Sequence, residues 1–169
     1  MPLNSALAMS ASGNLSTALD LGTVSFPMSL SSSVQLGTGT AAGKADKAWS
    51  DRRTLAASGT EDLDLAGVLL DAFGSAITFA RVKGLIIKAA AANTNSVVVG
   101  AASSNPWATL LNSTGTITLR PGASFCAIAG AADATTYAVT ASTGDLLKVA
   151  NSGAGTSVTY DILIIGASA

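Results

Sequence analysis

The chain has 169 residues, a formal net charge of −1 and no histidine. That is enough for one domain with its own core, and domains commonly span about 100–200 residues. Charged residues make up 11% of the chain, less than half of the usual share of about 25%. The near-neutral net charge argues against nucleic-acid binding as the main task, because phosphate contacts need clustered Lys and Arg. Catalytic triads in their His forms and His/Cys metal sites are excluded with the missing histidine. The one cysteine, Cys126, cannot form a disulfide within the chain. It lies in the apolar run GASFCAIAG and is expected to be a small buried hydrophobe, without the His partner that would activate it.

The hydrophobic fraction is 49% and the aromatic fraction 5%, so the core is expected to be built from Val, Ile, Leu and Ala with a few large anchors. The start of the chain, MPLNSALAMSASG, has neither the positive region nor the long apolar region of a targeting segment. The longest apolar stretch, GLIIKAAAA, is too short to span a bilayer. A soluble chain is expected, with no membrane partner.

Residues 1–43 hold a single charge, Asp20, and read as an N-terminal arm with one or two edge strands. Disordered tails are charged and poor in apolar residues, whereas this arm carries Leu15, Leu19, Leu21, Val24, Phe26, Met28, Leu30, Val34 and Leu36. From 24 to 30 the alternation is clean, with Val24, Phe26, Met28 and Leu30 on one side and Ser25, Pro27 and Ser29 on the other. That is the period of a half-buried strand, and Pro27, which has no N–H to donate, puts it at an edge. The strand either joins the domain's own sheet or docks on another surface by strand addition or arm exchange.

GTGTAAGKA at 37–45 is not a phosphate loop. Ala45 stands where a hydroxyl is required, and Thr38 stands where the first glycine is required. The dinucleotide fingerprint fails as well, at Ala42. The stretch reads as a flexible hinge between the arm and a domain over 44–169.

That domain reads as short strands near 47–57, 61–66, 76–89, 95–101, 115–120, 123–129, 136–141, 145–150 and 156–165, separated by Gly, Asn, Asp and Pro. Such spacing predicts an all-β fold, an antiparallel β-sandwich of jelly-roll type. In the last strand Val158, Tyr160, Ile162 and Ile164 face one way, opposite Thr159, Asp161 and Leu163. A change of phase between Phe79 and Val82 predicts a bulge. AGVLLDAFG, at 66–74, reads as one or two helical turns.

Glu61, Asp62 and Asp64 alternate with Leu63 and Leu65, the pattern of a solvated strand face, and the oxygen-rich loop that calcium needs is missing. Arg52 and Arg53 follow Asp46, Lys47 and Asp51, mixed signs that suit ion pairs across strands or subunits. Arg81, Lys83 and Lys88 either line a contact surface or protect a sheet edge. Trp49, Trp107 and Tyr137 could serve as sugar platforms. Trp107, following Asn105-Pro106, reads more simply as a buried loop anchor.

Two stretches carry a resemblance: RTLAASGTEDLDLAGVLLDAFGSAITFARVKGLIIKAAAANTNSVVVG, and LRPGASFCAIAG followed by YAVTASTGDLLKVANSGAGTSVTYDILIIGASA. They resemble small proteins of tailed-bacteriophage and prophage structural gene clusters. In character the chain is similar to capsid cement, or decoration, proteins, which commonly use jelly-roll folds. The resemblance implies a virion structural protein on the outer surface of the particle, assembled in the bacterial cytoplasm. Its implied partners are the major capsid protein or other virion proteins and further copies of itself, as a dimer or trimer. It implies no catalysis, no cofactor and no metal. A tail, neck or head-fibre component that binds a host receptor or glycan is the alternative. The interface residues expected are Leu21, Val24, Phe26, Met28 and Leu30 on the arm, then Trp49, Arg52 and Arg53 where arm meets domain.

Overall fold

A computed structural model describes residues 2–169. The protein is all-β, with 55% of residues in strands and 2% in helix. Strands β1 (Ser5–Leu19) and β2 (Gly22–Thr38) form one long antiparallel hairpin, and the short β3 (Lys44–Ala45) pairs in parallel with the end of β2.

The remaining strands make two antiparallel sheets. One contains β4 (Lys47–Leu55), β6 (Arg81–Ala89), β9 (Ser124–Ile128), β10 (Tyr137–Ala138) and β12 (Val158–Ala167). Its centre is β6–β12–β4, with β9 and β10 on the far side of β6. The other has the order β5 (Thr60–Asp64), β11 (Leu146–Asn151), β7 (Val97–Gly100), β8 (Thr116–Leu119). A single helical turn among the described residues, α1 (Ala108–Leu111), follows Trp107.

Alternation explains the main core. Val158, Tyr160, Ile162 and Ile164 of β12 are all buried, together with Leu85 and Ile87 of β6 and Val97, Val99, Leu147 and Val149 from the other sheet. Trp107 is buried too. Its indole N–H donates to the carbonyl of Ala138 at 2.9 Å, and its ring meets Tyr137 edge-on, so it is a loop anchor and offers no sugar platform.

The five-stranded sheet is apolar on its second face as well. There Leu7, Leu36, Ala45 and Ile165 form a separate cluster, with Ile86, Ile128 and Leu163 packed against it. A strand covered on both faces reads as a continuous apolar run, which accounts for Leu85-Ile86-Ile87. Gly84 makes this second contact possible: a Cβ there would lie 2.3 Å from Leu7 Cδ1. Cys126 lies on this same outer side, paired with Ile86 and half-buried where full burial was expected. Its incomplete cover still pushes the thiol pKa up by desolvation.

Four expectations are corrected. Residues 66–74 form no helix; the loop is closed by a Leu70–Ala76 bridge and by Asp71, whose carboxylate accepts from the amides of Phe73 and Ser75. The strand expected from 76 begins only at Arg81, and Ile77 and Phe79 reach the core from irregular backbone bonded to Leu69 and Leu65. The bulge falls at Lys83, where the register against β12 slips between Ile165 and Gly166. The stretch 37–45 is no free hinge: Gly37 donates to Gly43, Gly39 donates to Ala45, and the buried Lys83 ammonium donates to the Ala41 carbonyl at 2.7 Å.

Candidate interaction surface

All the large exposed apolar side chains among the described residues fall in two places, the β1–β2 hairpin and the loop before β6. The hairpin is the larger. Every residue from 8 to 33 is exposed, so this length stands off the body as a two-stranded ribbon. At about 3.3 Å per residue it extends roughly 35 Å beyond its base.

Register sorts its side chains. Leu15 pairs with Phe26, Gly13 with Met28, Ala11 with Leu30 and Met9 with Ser32. Directly paired residues share a face, so these form one apolar side, continuous at the base with Leu7 and Val34. The reverse side carries Ser10, Ser12, Asn14 and Ser16 against Ser25, Pro27, Ser29 and Ser31. At the tip Leu21 is fully exposed, and Leu30 and Phe26 keep 75% and 63% of their surface. A ribbon this thin is marginally stable in water without something packed on it.

The two edges of the ribbon differ. The Gly37 amide points away from β1, toward Gly43. Amide direction alternates along a strand, and the register from Leu36 to Gly22 has no slip. Pro27 therefore also faces outward, and the outer edge of β2 lacks one donor there. The outer edge of β1 has no such gap.

The expected arm residues Leu21, Val24, Phe26, Met28 and Leu30 thus lie together on or at the tip of one open surface. The residues expected where arm meets domain do not join them. Trp49 is buried in the main core. Arg52 is exposed on β4 and forms a two-point ion pair with Asp161 at 2.6 and 3.0 Å. Its guanidinium, bonded to that carboxylate, holds the Asp161 pKa below the usual range.

Arg53 turns toward the gap between the sheets. It donates to Glu61 at 2.6 Å and to Asp51 at 2.9 Å, while the Tyr160 hydroxyl donates to Glu61 at 2.7 Å. The Glu61 bond raises the Arg53 pKa. Burial, reinforced by the same carboxylate, drives the Tyr160 phenol far above its ordinary value. Glu61 was expected on a solvated face with Asp62 and Asp64. It shares the parity of Leu63 and Leu65 instead, which places it at the mouth of the core. The cluster bonds β4 and β12 to β5 and so ties the two sheets together.

The second apolar patch, Val68, Leu70 and Phe73, escaped the sequence reading because its residues have no strand period. Phe73 lines a hollow of about 370 Å³ with Leu3, Ala48 and Leu163, beside the ribbon base. Among the described residues no group of three or more His, Cys, Asp or Glu is placed to hold a metal, and no helix is long and apolar enough to cross a membrane. Set against known protein families, curated proteins and solved structures, the chain matches none of them.

Proposed function

We propose that this chain is a bacteriophage virion structural protein, a capsid cement protein that works through surface contacts, without catalysis or a cofactor. The observation that carries the reading is the projecting ribbon, an open apolar face on a nearly uncharged hairpin rooted in a well-packed body. Contiguous exposed apolar surface beyond a few hundred Å² marks an interaction site. A cement protein needs area, shape and repetition, and many weak copies on one lattice add through avidity. We read the two body sheets as a jelly-roll-like sandwich around the shared core, the scaffold that the resemblance implies. Exposed Arg52 and half-buried Asp161, paired on the same sheet, suit the polar rim of a contact.

The test is to locate the protein in purified particles, with heads and tails separated and their proteins quantified by mass spectrometry. Recovery with heads, and binding of recombinant protein to expanded capsids but not to precursor shells, is the expected result. Shortening the ribbon between Ala8 and Ser33 should abolish binding and leave the body folded. Recovery with tails would identify a tail, neck or fibre component instead. Absence from particles would overturn the reading.

A further inference from the structure

We propose that the apolar face of the ribbon is covered by the same face of a second copy, the two ribbons running in opposite directions about a two-fold axis. This rests on reading the ribbon as an interaction element and names its first partner.

Several observations favour a second copy. A lone two-stranded ribbon is marginal in water, whereas four strands in two layers share a core. The exposed apolar side chains along the ribbon, at roughly 100 Å² each, offer on the order of 800 Å², about what each partner of a standard interface buries. The arm holds one charge, Asp20, at the tip, so two copies meet without repulsion along the faces.

Sterics fix the direction. At the base the apolar face is already covered by the chain's own body, where Leu7 sits over Gly84. A second ribbon pointing the same way would run into that body. Pointing the opposite way, it ends with its tip at the body and its own body beyond the far end.

Shape fits this arrangement. With the axis between the Gly13–Met28 and Leu15–Phe26 pairs, Leu15 of each copy lies over Gly13 of the other, and Phe26 lies over Met28. The space left by the missing Gly13 side chain is bounded by the Met28 methyl, 3.7 Å from where a Cβ would stand. A shallow hollow lined by Ala11, Gly13, Met28 and Leu30, together with Ser12 and Ser29 between them, marks the receiving surface. Contacts between methionine sulfur and an aromatic ring are favourable.

The experiment is sedimentation equilibrium of the full chain, with circular dichroism confirming that each variant is folded. A dimer is expected. Leu15→Ser with Phe26→Ser should weaken it at least 100-fold. Gly13→Leu should also weaken it, although it adds apolar surface, because it fills the gap that Leu15 enters; tighter association would overturn the packing. Spin labels in a Cys126→Ser background give the direction: for opposed ribbons, labels at Leu21→Cys should lie about 40 Å apart, and labels at Asn14→Cys much closer. A trimer, or short distances at Leu21, would overturn the two-fold arrangement. A monomer that still binds capsids would overturn the second copy while leaving the proposed function standing. A dimer absent from particles would do the reverse.

Discussion

The body and the ribbon are built alike, from antiparallel strands whose apolar side chains alternate. In the body the two sheets answer each other's inner faces: Val158, Tyr160, Ile162 and Ile164 share one core with Leu147 and Val149. In the ribbon the same alternation places Leu15, Phe26 and Leu30 against nothing. Period therefore specifies a strand and its sidedness. What covers the strand depends on where the chain returns, and at the ribbon the chain does not return. Among the described residues, the only strand beyond β2 in its sheet is the two-residue β3 at the base.

The sharpest test of this contrast compares two phenylalanines. Phe79 is buried, and Phe79→Ala should cost about 3–5 kcal/mol in denaturant unfolding. Phe26→Ala, measured at a concentration where the chain is monomeric, should change stability by no more than about 0.5 kcal/mol. Equal costs would mean that the ribbon folds back on the body.

The Arg53–Glu61–Tyr160 cluster closes the mouth of the body, and the ribbon has no counterpart. Glu61→Ala leaves the buried Tyr160 hydroxyl without its acceptor and should cost about 2 kcal/mol, a value already reduced for the partial exposure of Arg53. Loss confined to the ribbon in hydrogen exchange would contradict the assignment of this cluster to the body.

Gly84→Ala acts at the junction, forcing Leu7 off its seat. It should cost about 1–2 kcal/mol. Amide protection should fall at the base of β1 while β12 keeps its own; equal loss in both would show one cooperative unit rather than two.

The smallest effect concerns pH. The phenol of Tyr160 is held protonated in the folded state, its pKa raised by burial and by Glu61. Its contribution to stability is complete below the ordinary tyrosine pKa of about 10 and is lost as pH rises beyond it. Ultraviolet titration should show one of the two tyrosines resisting ionisation until the body unfolds. Tyr160→Phe should remove that feature and leave the ribbon unchanged.

Much of the body was legible because its strands are short, strongly periodic and bounded by turn residues. Each of the nine strand regions expected after residue 44 overlaps one of β4 to β12, although β5, β11 and β12 run one or two residues past the expected boundaries and β6 starts five residues late. The misses have physical causes. Ala11, Gly13 and Thr17 dilute the apolar period of β1, so only its partner strand stood out. Residues 76–80 carry core side chains on backbone bonded to a loop, a placement that tertiary contacts alone provide. The glycines of 37–45 suggested freedom, but the cation that fixes the loop comes from Lys83, 42 residues after Ala41. Trp49 was expected at an interface and is core; its parity with Leu55 held that information. Sequence read the apolar arm residues as a group, while the hairpin register that sets them on one face emerged only with the fold.

Pro27 bears on how such a chain survives at high concentration. A stack in which β1 of one molecule joins β2 of the next would repeat without closing, the geometry of a fibre. Growth of that kind needs an unbroken row of outward amides on β2, and Pro27 interrupts it. One imino acid on an exposed strand thus limits open-ended polymerisation while leaving the apolar face of the ribbon free to engage a partner.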